Sequence, residues 1–119
     1  MKHLLVVLIL TATAYADAPK EVAAPDVVKF LEFFDKIVDA TVADKDQCDK
    51  MAADLNTIID ANKDVIAMAN KAKADGKTLP ADARKHIADG VNKMVPATQS
   101  CQSNEKVKTA FGRLDLKKK

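Results

Sequence analysis

Eight residues of this 119-residue chain, Cys48, Met51, Leu55, Ile58, Asn62, Val65, Ala69 and Ala72, recur at steps of three and four in strict alternation. On a strand these positions would scatter to both faces; only an α-helix gathers them into one stripe. Ala52, Ile59 and Ile66 widen it. The pattern predicts one continuous helix over residues 46–74, with Asp44 or Asp46 as N-cap and Gly76 in the left-handed position past its end. Such a helix would be about 43 Å long, against about 25 Å for the next one. Its far end must therefore overhang, bend or meet something else.

The flanking segments keep the same period. Residues 27–41 put Val27, Phe30, Leu31, Phe34, Ile37 and Val38 on one face and Glu32, Asp35, Lys36 and Asp39 elsewhere, with Asp26 as the cap after Pro25. Before them, residues 17–25 hold two prolines and no period, and read as a flexible lead. A third helix opens at Thr78 and Pro80, turns Ala83, Ile87, Gly90, Val91 and Met94 inward, and stops at Pro96. A short fourth helix, capped by Ser100 or Ser103, gathers Val107, Ala110, Phe111 and Leu114, although Gly112 weakens it. Lys117, Lys118 and Lys119 form a basic tail. With three glycines and no tryptophan, the composition favours helix over sheet. The short links favour antiparallel neighbours, so the predicted fold is all-α, a small up-down-up-down four-helix bundle over residues 26–116.

The N-terminus sets the compartment. Lys2 and His3 precede an unbroken apolar run over residues 4–10, and Ala14, Tyr15 and Ala16 follow with small-x-small spacing. This is the pattern of a secretory signal peptide cleaved after Ala16. The run is shorter than the roughly 20 apolar residues a membrane span needs. The remaining chain, residues 17–119, would be periplasmic or secreted, where two cysteines are expected to pair. Cys48 opens the second helix and Cys101 follows the third, so an up-down bundle brings both to one end. Closing that loop stabilises by about 4 kcal/mol on the chain-entropy account. A small domain with few aromatic side chains has use for such a staple.

Charge divides unequally. Residues 17–60 hold eleven acidic and five basic side chains, net −6; residues 61–119 hold thirteen basic and six acidic, net +7. The plain reading is complementarity between acidic early and basic late helices. Lys117, Lys118 and Lys119 are the candidate contact with an anionic envelope surface. Export and a near-neutral total argue against nucleic acid.

Little of the chain suggests chemistry. Asp44, Asp46 and Asp49 resemble the start of a calcium loop, yet Asp49 and Leu55 stand where an EF-hand needs Gly and Glu. The run from Asp60 fails in the same way at Val65 and Lys71. His86 is the one histidine beyond the leader. No nucleophile motif, phosphate loop or spaced acid pair accompanies it, so the chain is read as non-enzymatic, with no cofactor and no metal site. The sharper oddity is Phe33, which lies beside Phe30 and Ile37 but about 100° from the main stripe. These three residues either broaden the core contact or form a patch for a protein partner or a second copy of the chain. The function expected from sequence is a non-catalytic structural, adaptor or chaperone-like binding module. The alternative is a carrier with a pocket inside the bundle, for a small ligand or a haem-type cofactor held by His86 with Met51, Met68 or Met94.

Overall fold

A computed structural model of the chain describes residues 20–114. The leader over residues 1–16 and the tail over residues 117–119 lie outside the described residues. Among those described, five α-helices account for the structure: α1 (Ala24–Ala43), α2 (Cys48–Ala61), α3 (Lys63–Ala74), α4 (Ala81–Thr98) and α5 (Glu105–Gly112). A 3-10 turn, Gln99–Cys101, follows α4 directly. The protein is thus all-helical, and its two cysteines meet with Cα atoms 5.3 Å apart as a disulfide.

Helix α1 starts before its predicted cap. Pro25 occupies its first turn, where a missing amide costs nothing, and Asp26 sits within that turn at the positive helix end. Lys20 and Val22, in the segment read as a lead, bond to Thr78: the Thr78 amide donates to Lys20 at 2.8 Å and Val22 donates to Thr78 at 2.9 Å. Helix α4 also behaves differently from its sequence, since Pro96 does not stop it. The proline forfeits one hydrogen bond in the last turn only, and the chain then tightens, with the Gln99 amide donating to the Pro96 carbonyl. The 3-10 turn so formed delivers Cys101 into the core, fully buried. At α5 the cap is Asn104 rather than either serine; its Oδ1 accepts from the Val107 amide at 3.0 Å.

The long helix expected over residues 46–74 is interrupted at Asn62, whose backbone leaves the helical region at φ −128°, ψ 32°. The side chain explains the break. Asn62 Nδ2 donates to the Ile58 carbonyl at 2.8 Å, the acceptor that its own amide would use in an unbroken helix. That amide turns instead to Ile59 at 3.1 Å, and α3 restarts with Val65 and Ile66 donating to the Asn62 carbonyl.

Helix α1 is the central element, packing along α4 on one side and against α2 and α3 on the other, while α5 packs on α2. Contacts fix the relative senses. Asp35 meets His86 and Val38 meets Gly90, so α1 and α4 run the same way. Asp49 meets Asn104 near the start of α5, and Asn56 and Asp60 both meet Arg113 just past its end, so α2 and α5 also run the same way. The tightest packing lies beside the disulfide, where Met51, Leu55, Cys101 and Ala110 expose no surface. Phe33, 5 % exposed, and Ile37 belong to this core, so the buried face of α1 is broader than the stripe drawn from its periodicity.

Candidate functional site

Packing is uneven along the molecule. Helix α5 ends at Gly112, with Arg113 beside Asn56 and Asp60. Two residues past Asp60 the chain breaks at Asn62 and continues as α3. Beyond that level, among the described residues, α1, α3 and α4 are not backed by α5, and a partly open cavity of about 240 Å³ lies there. Helix α1 gives it three aromatic side chains, Phe30, Phe33 and Phe34, and Ile37. Ile66 and Ala69 of α3 form the opposite wall, Met94 of α4 one side, and Phe111 and Leu114 the roof. Every described lining residue is apolar.

Two local features shape the space. Ala69 lies on the sequence stripe where a larger residue would fill the gap, and it faces Phe30 across it. Gly90 lets α4 approach Phe34 closely: a Cβ there would stand 2.8 Å from the Phe34 Cζ and 3.1 Å from the Val38 Cγ2. A smaller space of about 160 Å³ adjoins the first, sharing Phe30 and Ala69 as its wall. It is completed by Val22, Met68, Ala72 and Leu79, with the lysines Lys73 and Lys77 at its edge. An open groove of about 440 Å³ between α4 and α5 touches the cavity from the other side through Met94 and Phe111.

The residues singled out from sequence fall into three groups. Cys48 and Cys101 are joined. Phe30, Phe33 and Ile37 are together and line this partly open cleft, with Phe33 and Ile37 buried and Phe30 half-buried. The histidine and methionines proposed for haem are dispersed. His86 is 44 % exposed on the outside of α4, its Nε2 2.6 Å from Asp35 Oδ1. Met51 is sealed in the core, Met68 lines the smaller space and Met94 the larger, whereas His86 lines a separate surface hollow with Asp35, Asp39 and Asp89. Lys117, Lys118 and Lys119 lie outside the described residues.

The aspartates of the calcium-like run serve as structural anchors. Asp49 meets Asn104 at 3.2 Å and Lys106 at 3.8 Å. Asp44, nearly buried, meets Lys50 at 3.3 Å, and Lys50 also meets Asp54 at 2.8 Å. A hydrogen bond with Asp54, together with burial, pushes the Asp44 carboxyl above its ordinary range, while Lys50 holds Asp54 below. Asp44 Oδ2 is buried with no hydrogen-bond partner among the described residues. Asp60 is held low by Arg113. Among the described residues no three His, Cys, Asp or Glu side chains are grouped to hold a metal ion, and no helix is long and apolar enough to cross a membrane.

Sequence reasoning offered a pocket inside the bundle as its alternative but did not identify these lining residues. The cavity's signals are visible in hindsight: small Ala69 and Ala72 on the stripe opposite a phenylalanine-rich helix, and a fourth helix too short to match the second. No protein-family model matches the chain, and neither the curated proteins nor the solved structures include a significant match to it.

Proposed function

We propose that this is an exported, non-catalytic binding protein that carries a small apolar ligand inside a four-helix bundle. The bundle reading counts α2 and α3 as one interrupted helix and runs up-down-up-down; the shared senses of α1 with α4 and of α2 with α5 support it. Removal of a signal peptide after Ala16 is supported by the apolar run over residues 4–10 and by the Cys48–Cys101 disulfide, which belongs to an oxidising compartment. The observation that carries the binding function is the all-apolar cavity of about 240 Å³ between α1, α3, α4 and α5. Small-molecule sites are typically apolar clefts of this kind, and a ligand seated against phenylalanine and methionine removes apolar surface from water. The haem form of the carrier reading is not retained, because His86 faces away from the cavity.

A titration of residues 17–119 with the neutral dye N-phenylnaphthylamine tests this reading. Saturable binding is expected, and Ala69→Phe, which places a ring in the cavity, should abolish it while the far-UV circular dichroism stays unchanged. Absence of binding by the wild-type chain, or full binding by the folded variant, overturns it. Sequencing of the exported protein's N-terminus should begin at Asp17. A second reading, an adaptor or chaperone-like module for a protein partner, draws on Val91 and Val95 of α4; Val95 is 52 % exposed, and both line the open groove beside α5. Retention of dye binding after Val91 and Val95 are both changed to Ser separates the two readings.

A further inference from the structure

We infer that the partly open cleft is occupied by the chain's own C-terminal segment, residues 115–119, which seats Leu116 between α3 and α4 and so competes with any ligand for the same apolar surface. The competition rests on the carrier reading above; the docking does not. Helix α5 runs in the same sense as α2, and Arg113, just past its last residue, bonds Asn56 and pairs with Asp60. The exit of the chain is thereby fixed beside the end of α2, at the level where α3 takes over. The Leu114 amide donates to the Phe111 carbonyl at 2.9 Å, which turns the chain there. Phe111 and Leu114 both line the cavity of about 240 Å³, so the described chain ends on the wall of that cleft.

Asp115, Leu116, Lys117, Lys118 and Lys119 follow. Two residues span at most about 7 Å, so the Leu116 backbone stays within that distance of Leu114. Neighbouring helices are spaced by about 8–10 Å, which keeps Leu116 within reach of Ile66 and Ala69 of α3 and Met94 of α4, all of which face the cleft. Leu116 is the one apolar residue of the segment. Placing it against phenylalanine and methionine removes apolar surface from water and orders only two further residues, because Leu114 is already held. A tethered side chain also meets the cleft at a high effective concentration, which a free ligand must overcome. The lysines keep their ammonium groups in water while their stems lie along the rim. Leu116 enters from the side of Phe111 and Leu114 and has no need to pass Phe30 and Ala69 into the smaller space. The open groove on the other side of Met94 and Phe111 is the rival seat; Thr98, Gln102 and Lys108 make it the poorer one for a leucine.

Nuclear Overhauser spectra of residues 17–119, ligand-free and with labelled leucine methyls, test the docking. Contacts are expected from Leu116 to Met94 and to the Phe33 or Phe34 ring. Their absence, their replacement by contacts to Val91 and Val95, or their appearance only between differently labelled copies overturns the assignment. Titration with N-phenylnaphthylamine tests the competition. Leu116→Asp should bind the dye about three- to ten-fold more tightly than wild type, and saturating dye should remove the Leu116 contacts from the wild-type spectrum. Equal affinity of the two proteins, or contacts that survive saturation, overturns the competition. If neither protein binds the dye while the Leu116 contacts are present, the docking stands and the carrier reading falls.

Discussion

Two glycines with opposite surroundings show how single residues set the interior. Gly112 has nothing within 4 Å of where a Cβ would stand, whereas Gly90 has the Phe34 ring and Val38 against it. Both lie in helices, where alanine is preferred over glycine by up to about 1 kcal/mol. Gly112→Ala should therefore stabilise by about 0.5 kcal/mol, read from the midpoint of urea unfolding. Gly90→Ala gains the same propensity but must displace Phe34, and the ring has the cavity to move into. Its stability should stay within about 1 kcal/mol of wild type, and its affinity for a neutral dye should fall, because the ring then occupies ligand space. Glycine content alone could not distinguish the two positions; the difference is made by what lies opposite each on another helix.

At the scale of elements, α5 is the least secure, with eight residues and a glycine as its last one. It is held by its Asn104 cap at one end and by Arg113 at the other, which bonds Asn56 at 2.9 Å and pairs with Asp60. Arg113 holds the Asp60 carboxyl below its ordinary range. A depressed carboxylate contributes stability above its unfolded pKa, near about 3.9, and loses it as pH falls through the folded value. Arg113→Ala should accordingly destabilise at neutral pH, and the difference from wild type should shrink as pH is lowered through and below the ordinary aspartate range. Thermal unfolding of both proteins across a pH series measures this; a difference independent of pH would place the effect in packing of the arginine stem. Boundaries between elements were the least legible feature of the sequence. The stripe from Cys48 to Ala72 identified one long helix correctly as to face, but at Asn62 a side-chain amide competes for a backbone carbonyl, and periodicity contains no term for that. Pro96 erred in the other direction: a local helix breaker was overridden because Cys101, three residues past Thr98, is fixed in the core.

At the scale of the whole molecule, the disulfide and the cavity act in opposite directions. The bridge spans 53 positions and sits at the well-packed end. Replacing both cysteines with Ala should cost about 4 kcal/mol, a large part of the stability of about 5–15 kcal/mol usual for a domain. The measurement is urea unfolding of the oxidised wild type against the double variant. The free thiols of the wild type, titrated in denaturant before reduction, should be absent. On the carrier reading proposed above, N-phenylnaphthylamine stabilises the native state by mass action, so the double variant should regain part of its loss when the dye is added.

What the sequence determined by itself was the class of fold, the buried stripe from Cys48 to Ala72 and the pairing of the cysteines, whereas Phe33, read as lying off the stripe, is buried and Val91, read as inward, is exposed. The correct readings follow from short-range rules: a period of 3.6, the preferences of proline and glycine, and the presence of only two cysteines. Tertiary structure decided where apolar side chains fail to meet. Phe30, Phe33 and Ile37 were legible as a group, but whether they faced water, a partner or an internal space depended on the reach of α5 and on the closeness of α4 at Gly90. A cavity is a property of several helices at once, set by lengths and separations that no single segment encodes.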